Sequence, residues 1–203
     1  MNFLKWFSNY NLVPLGMCLK LHLINDENLR IKNDKDLLRY ALTNEKESYQ
    51  LSEEQDKAYK ELSKNDSSFR VHLLQGTTGS GKTLVYFKAI EKILNIGSQA
   101  LILLPEIGLT NEFEKKFKSY FGFEAAVWHS KVSPKKRKII WNGLSAGKIK
   151  VVIGARSSLF LPFKKLGLIT VDEEHDQSYK QDEGIIYNAR DMAISRSKHE
   201  NIP

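Results

Sequence analysis

From Arg70 onward the chain alternates short apolar runs with longer amphipathic ones: VHLLQ (71–75), KTLVYFKAIEKILN (82–95), ALILLP (100–105), TNEFEKKFKSYF (110–121), EAAVWH (124–129), PKKRKIIWNGLSA (134–146), KIKVVIG (148–154) and LGLITVDEE (166–174). Ala100–Leu104, Val151–Ile153 and Leu168–Val171 are apolar without alternation, the pattern of strands covered on both faces. In residues 82–94, Val85, Ala89 and Ile93 recur about a turn apart with Lys88 and Lys92 between them, so one helix face can pack on a sheet. The rhythm predicts an α/β fold with a mainly parallel sheet flanked by helices.

The first 23 residues are moderately apolar, but Lys5, Asn9, Asn11, Pro14 and Lys20 interrupt them. No uninterrupted stretch of about 20 apolar residues exists there, so no membrane span is expected. Nor is there a basic start, an apolar stretch and a small-residue cleavage site in that order. Residues 24–50 are polar with scattered Ile, Leu and Tyr, which predicts a linker holding at most one short helix. The division expected is 1–50 as an N-terminal remnant and linker, and 51–203 as the main domain.

The 203 residues suffice for one domain with an appendage. Lys and Arg exceed Asp and Glu by 31 to 24, a formal charge of +7 that permits a polyanionic partner without requiring one. Cys18 is the single cysteine, so neither an internal disulfide nor a cysteine-rich zinc site can form within this sequence. Together these features predict a cytoplasmic protein.

Gly76-Thr77-Thr78-Gly79-Ser80-Gly81-Lys82-Thr83 matches G-x-x-x-x-G-K-[ST] in full, between an expected strand and an expected helix. Glycines at 76, 79 and 81 let consecutive N–H groups turn inward at the positive end of a helix, forming an anion nest. Lys82 is expected to reach the β- and γ-phosphates of ATP, and the Thr83 hydroxyl to ligate Mg²⁺. Asp172-Glu173-Glu174-His175 ends the apolar run LGLITV, at the sheet edge where open α/β folds hold ligands. There Asp172 is expected to hold Mg²⁺ through water, and Glu173 to orient and deprotonate the attacking water. A phosphate loop alone does not distinguish a motor from a transporter or a kinase.

Five segments make that distinction: LLQGTTGSGKT (73–83), LLPEIGLT (103–110), WHSKVS (128–133), VVIGARSSLFLPFKKLGLITVDEEHD (151–176) and SYKQDEGIIYNARDMA (178–193). In this order they resemble the PriA (primosomal protein N′) family of superfamily 2 DNA helicases, over residues 51–203. The resemblance implies a RecA-like lobe that binds ATP and Mg²⁺ and, in an intact protein, drives 3′ to 5′ movement on single-stranded DNA at stalled forks. It implies primosome proteins and single-strand-binding protein as partners. It also implies an adenine contact from Gln55 in LSEEQ (51–55), whose amide can donate and accept.

In that family the segments matching PEIGLT, the His-Ser pair and GARSS line the single-stranded DNA groove, which places Thr110, Ser130, Arg156, Ser157 and Ser158 on phosphates; singly, each could instead cap a helix or serve as a loop hydroxyl. The stretch with Tyr179, Lys180, Tyr187 and Arg190 resembles the aromatic-rich loop that couples DNA binding to hydrolysis in PriA and RecQ helicases. Its rings would serve as stacking platforms, or else pack against the lobe. The basic run Lys135–Lys138 reads as a solvated helix face.

The family also carries an N-terminal DNA-binding domain, a winged helix, a second lobe with an arginine finger and a cysteine-rich zinc insertion, none of which this sequence contains. Residues 1–23 resemble the stretch joining the first two, and the 27 residues from 24 to 50 are too few for a winged helix. The sequence therefore reads as a piece of a helicase. Without the finger, worth about 10³ to 10⁵ in rate, it is expected to bind nucleotide and turn it over poorly. The competing expectation is a nucleotide-dependent module that binds DNA or a partner without catalysis.

Overall fold

A computed structural model describes residues 2–23, 34–41, 47, 49–64 and 68–203. Seven α-helices are described, in chain order α1 (Asn2–Tyr10), α2 (Leu15–His22), α3 (Glu53–Leu62), α4 (Lys82–Asn95), α5 (Asn111–Phe121), α6 (Pro134–Ser145) and α7 (Ala189–Glu200). Four strands form one sheet: β1 (Gln99–Leu103), β2 (Ala126–Trp128), β3 (Val151–Gly154) and β4 (Leu166–Val171), in the order β2-β3-β1-β4. Every pairing in it is parallel. The α/β architecture expected of a RecA-like lobe is what the chain adopts.

The continuous apolar runs are strands because both faces are covered. Leu101 and Leu103 of β1 join one buried cluster with Val152, Ile140, Leu144 and Phe160, while Ala100 and Ile102 join the other with Phe87, Ile90, Phe117 and Phe121. Neighbours in β1 thus serve opposite faces, with α6 and α7 on one and α4 and α5 on the other. Local signals fix the helix starts. Ser52 and Gln55 close a reciprocal capping box on α3, and Ser133 accepts from Lys136 N–H ahead of Pro134 on α6. Gly122, at φ 78°, ends α5 in the left-handed conformation.

Two expectations are corrected. VHLLQ (71–75) forms no strand, and Val71 and Leu73 are exposed. A strand needs a partner for its N–H and C=O groups, and among the described residues none pairs with this stretch. β4 is the edge of the sheet, its residues from Leu168 to Val171 are only half-buried, and Ile169 N–H donates to Pro203 C=O.

The second correction concerns residues 1–23. They are not a mere connecting stretch, because α1 and α2 pack into the lobe. Phe7 is fully buried and meets Phe160 and Tyr187 edge-on at 5.0 and 5.5 Å. His22 sits 2.6 Å from Phe160 C=O, and the Trp141 indole N–H donates to His22 C=O at 2.8 Å. Burying Phe3, Leu4, Phe7 and Cys18 stabilises this attachment by several kcal/mol, at roughly 1.5–3 kcal/mol per large apolar side chain. The short helix expected in the linker corresponds to a 3₁₀ turn at Asp34–Tyr40, while residues 24–33, 42–46 and 48 lie outside the described residues.

Candidate functional site

Because β1 to β4 run parallel, the segments that follow them leave one edge of the sheet. α4 returns to β1 through three residues, so its first turn and the glycine loop before it stand at the same edge. Gly79 and Gly81 both adopt φ 81°, a conformation open to glycine and costly to other residues. A Cβ on Gly76 would lie 2.6 Å from Ser80 Oγ, and one on Gly81 would lie 2.3 Å from Gln55 Nε2. Both contacts are with the ends of side chains that can move, so the demand for glycine at 79 and 81 comes from the left-handed backbone that shapes the cradle. Lys82 folds back into it, donating to the Gly76 and Thr77 carbonyls at 2.8 and 3.2 Å. Gln55 lies against the loop as well, its Nε2 donating to Ser80 C=O at 3.0 Å and its Oε1 accepting from Ser52 N–H. Thr78 sits at the exposed tip.

The acidic end of β4 is built differently. Asp172 N–H donates to Leu103 C=O at 3.0 Å, continuing the strand pairing to the last residue. Its Oδ1 accepts from Glu173 N–H at 3.0 Å and its Oδ2 from the Tyr86 hydroxyl at 2.9 Å. Thr83, the other expected Mg²⁺ ligand, stands one turn before Tyr86 on α4. Burial, then the charge of Asp172, pushes the Tyr86 hydroxyl far above its usual range and keeps it a donor. Sequence reasoning missed Tyr86, although its position three residues after Thr83 puts both on one helix face.

Glu173 turns the chain at φ 47°, unusual for a residue with a side chain and common at functional sites. Its carboxylate is exposed and lies 3.6 Å from His175 Nε2. The donor set thus fits a magnesium nucleotide: a glycine cradle, an ammonium, and the oxygens of Thr83 and Asp172 at the same sheet edge.

The expected DNA residues divide into two groups. Thr110, Ser130, Arg156 and Ser157 follow β1, β2 and β3 and stand at the same sheet edge. Thr110 caps α5 by accepting from Phe113 N–H, Ser157 Oγ accepts from the Trp128 indole N–H, and the Arg156 guanidinium donates to Lys180 C=O. Arg137, from the run read as a solvated face, has an inward task. It donates to the His129 and Ser130 carbonyls at 3.2 and 2.7 Å and lies over the Trp128 ring at 5.5 Å, holding the segment after β2. Ser158 is buried and donates to Ala155 C=O, so it offers nothing to a backbone phosphate.

Tyr179 and Tyr187 require the largest correction. Of the two readings, stacking platforms or rings packed against the lobe, their burial fits the second, for they are 1% and 7% exposed. The Tyr179 hydroxyl lies 2.6 Å from Asp172 C=O and 3.0 Å from Leu103 C=O, bracing the ends of β1 and β4. Burial, followed by the nearby acidic charges, moves its pKa well upward, and Tyr187 is pushed up to about 12 chiefly by burial. An apolar ring fills a core more favourably than it waits in water for a base. Lys180 and Arg190 stay at the surface in ion pairs, Lys180 with Asp182 at 3.0 Å and Arg190 with Asp191 and Glu174 at 3.0 and 3.3 Å.

Similar curated proteins include the replication restart protein PriA of Rickettsia felis, 47% identical over 196 residues covering 95% of this chain and 29% of that protein. Those of Bacillus subtilis and Haemophilus influenzae are 41% and 48% identical, covering 75% and 67% of this chain and 19% of each relative. The chain therefore spans less than a third of the length of these relatives. The sequence model of the DEAD/DEAH box helicase family matches residues 52–202, the region that contains the glycine loop, the acidic strand end and the edge between them, and on that match the chain belongs to the DEAD/DEAH box helicase family.

Proposed function

We propose that this chain is the first, ATP-binding lobe of a PriA-type DNA helicase acting in primosome assembly and replication restart. The observation that carries the reading is the glycine loop with Lys82 folded into it, at the same sheet edge as Asp172, whose carboxylate is held by the Tyr86 hydroxyl. Backbone N–H groups of residues 76–83 would hold the phosphates, and Lys82 would exchange its two carbonyl partners for phosphate oxygens. Thr83 and Asp172 would hold Mg²⁺, which supplies charge neutralisation for phosphoryl transfer. Glu173, exposed at its left-handed turn, would orient the attacking water and take its proton. Gln55 would meet the adenine edge with the amide N–H that Ser80 leaves free.

Single-stranded and forked DNA would lie across Thr110, Ser130, Arg156 and Ser157, with Lys180 and Arg190 at its rim, and the backbone would be held without base readout. In this reading Tyr179 and Tyr187 act by holding Asp172 and the underlying core, not by stacking. Single-strand-binding protein and other primosome proteins are the partners of the whole helicase, zinc belongs to a part of the family that this sequence does not include, and the setting is cytoplasmic. Among the described residues no helix is long and apolar enough to cross a membrane.

The test is equilibrium binding of a fluorescent ATP analogue with Mg²⁺. The chain binds it, and Lys82→Ala weakens binding by about 10- to 150-fold, the equivalent of about 1.5–3 kcal/mol for a hydrogen-bonded charge, with thermal stability nearly unchanged. Equal binding by both proteins contradicts the proposal.

A further inference from the structure

Tyr86 has no place in the phosphate-loop pattern or in the acidic motif, yet it stands one turn after the first and is hydrogen-bonded to the second. It is 7% exposed and sits on α4 one turn after Thr83, with its ring packed edge-on against Phe87 at 5.3 Å. The hydrogen bond at its oxygen has a definite direction. Asp172 is a carboxylate and accepts, so the phenol donates its single hydrogen to Oδ2 at 2.9 Å. The second carboxylate oxygen is also held, by Glu173 N–H at 3.0 Å, which fixes the plane of the Asp172 carboxylate.

The geometry points to Tyr86 as a positioning residue for magnesium. Its hydroxyl and the Glu173 N–H each hold one oxygen of the Asp172 carboxylate, fixing its plane and leaving a lone pair on each oxygen for a metal ion. This rests on the functional reading given above and deepens it by adding a group that orients a metal ligand without touching the metal. Tyr179 does not share the task, because its hydroxyl meets the backbone carbonyls of Leu103 and Asp172, not the carboxylate.

The experiment measures the affinity of the chain for fluorescent ADP with Mg²⁺ and again with EDTA, for the wild type, Asp172→Asn, Tyr86→Phe and Tyr86→Leu. The wild type binds more tightly with Mg²⁺, and Asp172→Asn loses that enhancement. Tyr86→Phe keeps EDTA affinity within about twofold and loses about tenfold of the enhancement, the low end of what removing a partner of a metal ligand costs. Tyr86→Leu, which also lacks the donor, behaves alike, and unliganded melts of both variants verify folding. If the wild type shows no enhancement, the magnesium reading itself fails and this inference falls with it. If the wild type and Asp172→Asn behave as stated but the folded Tyr86 variants retain full enhancement, the inference alone is overturned. Equal losses with Mg²⁺ and with EDTA overturn it too, since they mark a packing role only.

Discussion

The two halves of the candidate site lie at the same sheet edge and are held by opposite means. The acidic end of β4 is braced on every side: Asp172 by Leu103 through the backbone, by Glu173 and Tyr86 at its carboxylate, and by Tyr179 at its carbonyl. Among the described residues the glycine loop is held chiefly by Lys82, whose ammonium lies on the loop's own carbonyls, and by Gln55 at its end, and it follows the largely exposed stretch 71–75, which pairs with no strand among them. One half is finished by folding, and the other keeps donors that a ligand can take over. An anion arriving at the loop gains N–H groups and a lysine whose present partners are neutral carbonyls, while the carboxylate it must sit beside is already oriented.

This contrast predicts unequal responses to substitution. The largest effect belongs to Tyr179→Ala, which removes a fully buried ring and the brace across β1 and β4. Denaturant unfolding should show a loss of about 3–5 kcal/mol, the usual cost of deleting a buried aromatic side chain. A loss below about 1 kcal/mol, within the range of an ordinary surface substitution, would break the comparison. Gly81→Ala acts on the other half and more weakly. Its left-handed φ costs about 1–2 kcal/mol for a residue with a Cβ, and the methyl must displace the Gln55 amide from Ser80. Thermal melting should show this modest loss, and nucleotide binding should weaken further. An unchanged melt would mean that the loop is looser than its dihedrals indicate.

The sheet and much of the site were legible in the sequence, and the failures share a cause. Continuous apolar runs such as Val151–Ile153 report burial on both faces directly, and glycines at 76, 79 and 81 report backbone shape directly. VHLLQ reads as another short run, although His72 and Gln75 break it, but a strand is a property of a pair, and no partner's presence can be read from the run itself. Tyr179 and Tyr187 could not be placed from the sequence because a tyrosine suits a stacking platform and a core equally well, and only the surrounding fold decides. Tyr86 was overlooked because its role depends on Asp172, 86 residues away in sequence. The attachment of the first 23 residues had a readable trace, the helical spacing of Phe3, Leu4 and Phe7, but the faces that receive them, Phe160 and Tyr187, lie far along the chain.

The claim that the acidic end is complete before ligand arrives while the glycine loop is completed by it is tested most directly by amide hydrogen exchange with and without saturating Mg²⁺ and ADP. Exchange at residues 77–83 should slow by about tenfold or more as the loop N–H groups engage phosphate, equivalent to about 1.4 kcal/mol of added protection, while residues 172–179 change little. Slowing confined to 172–179, with the loop unaffected, would contradict the account.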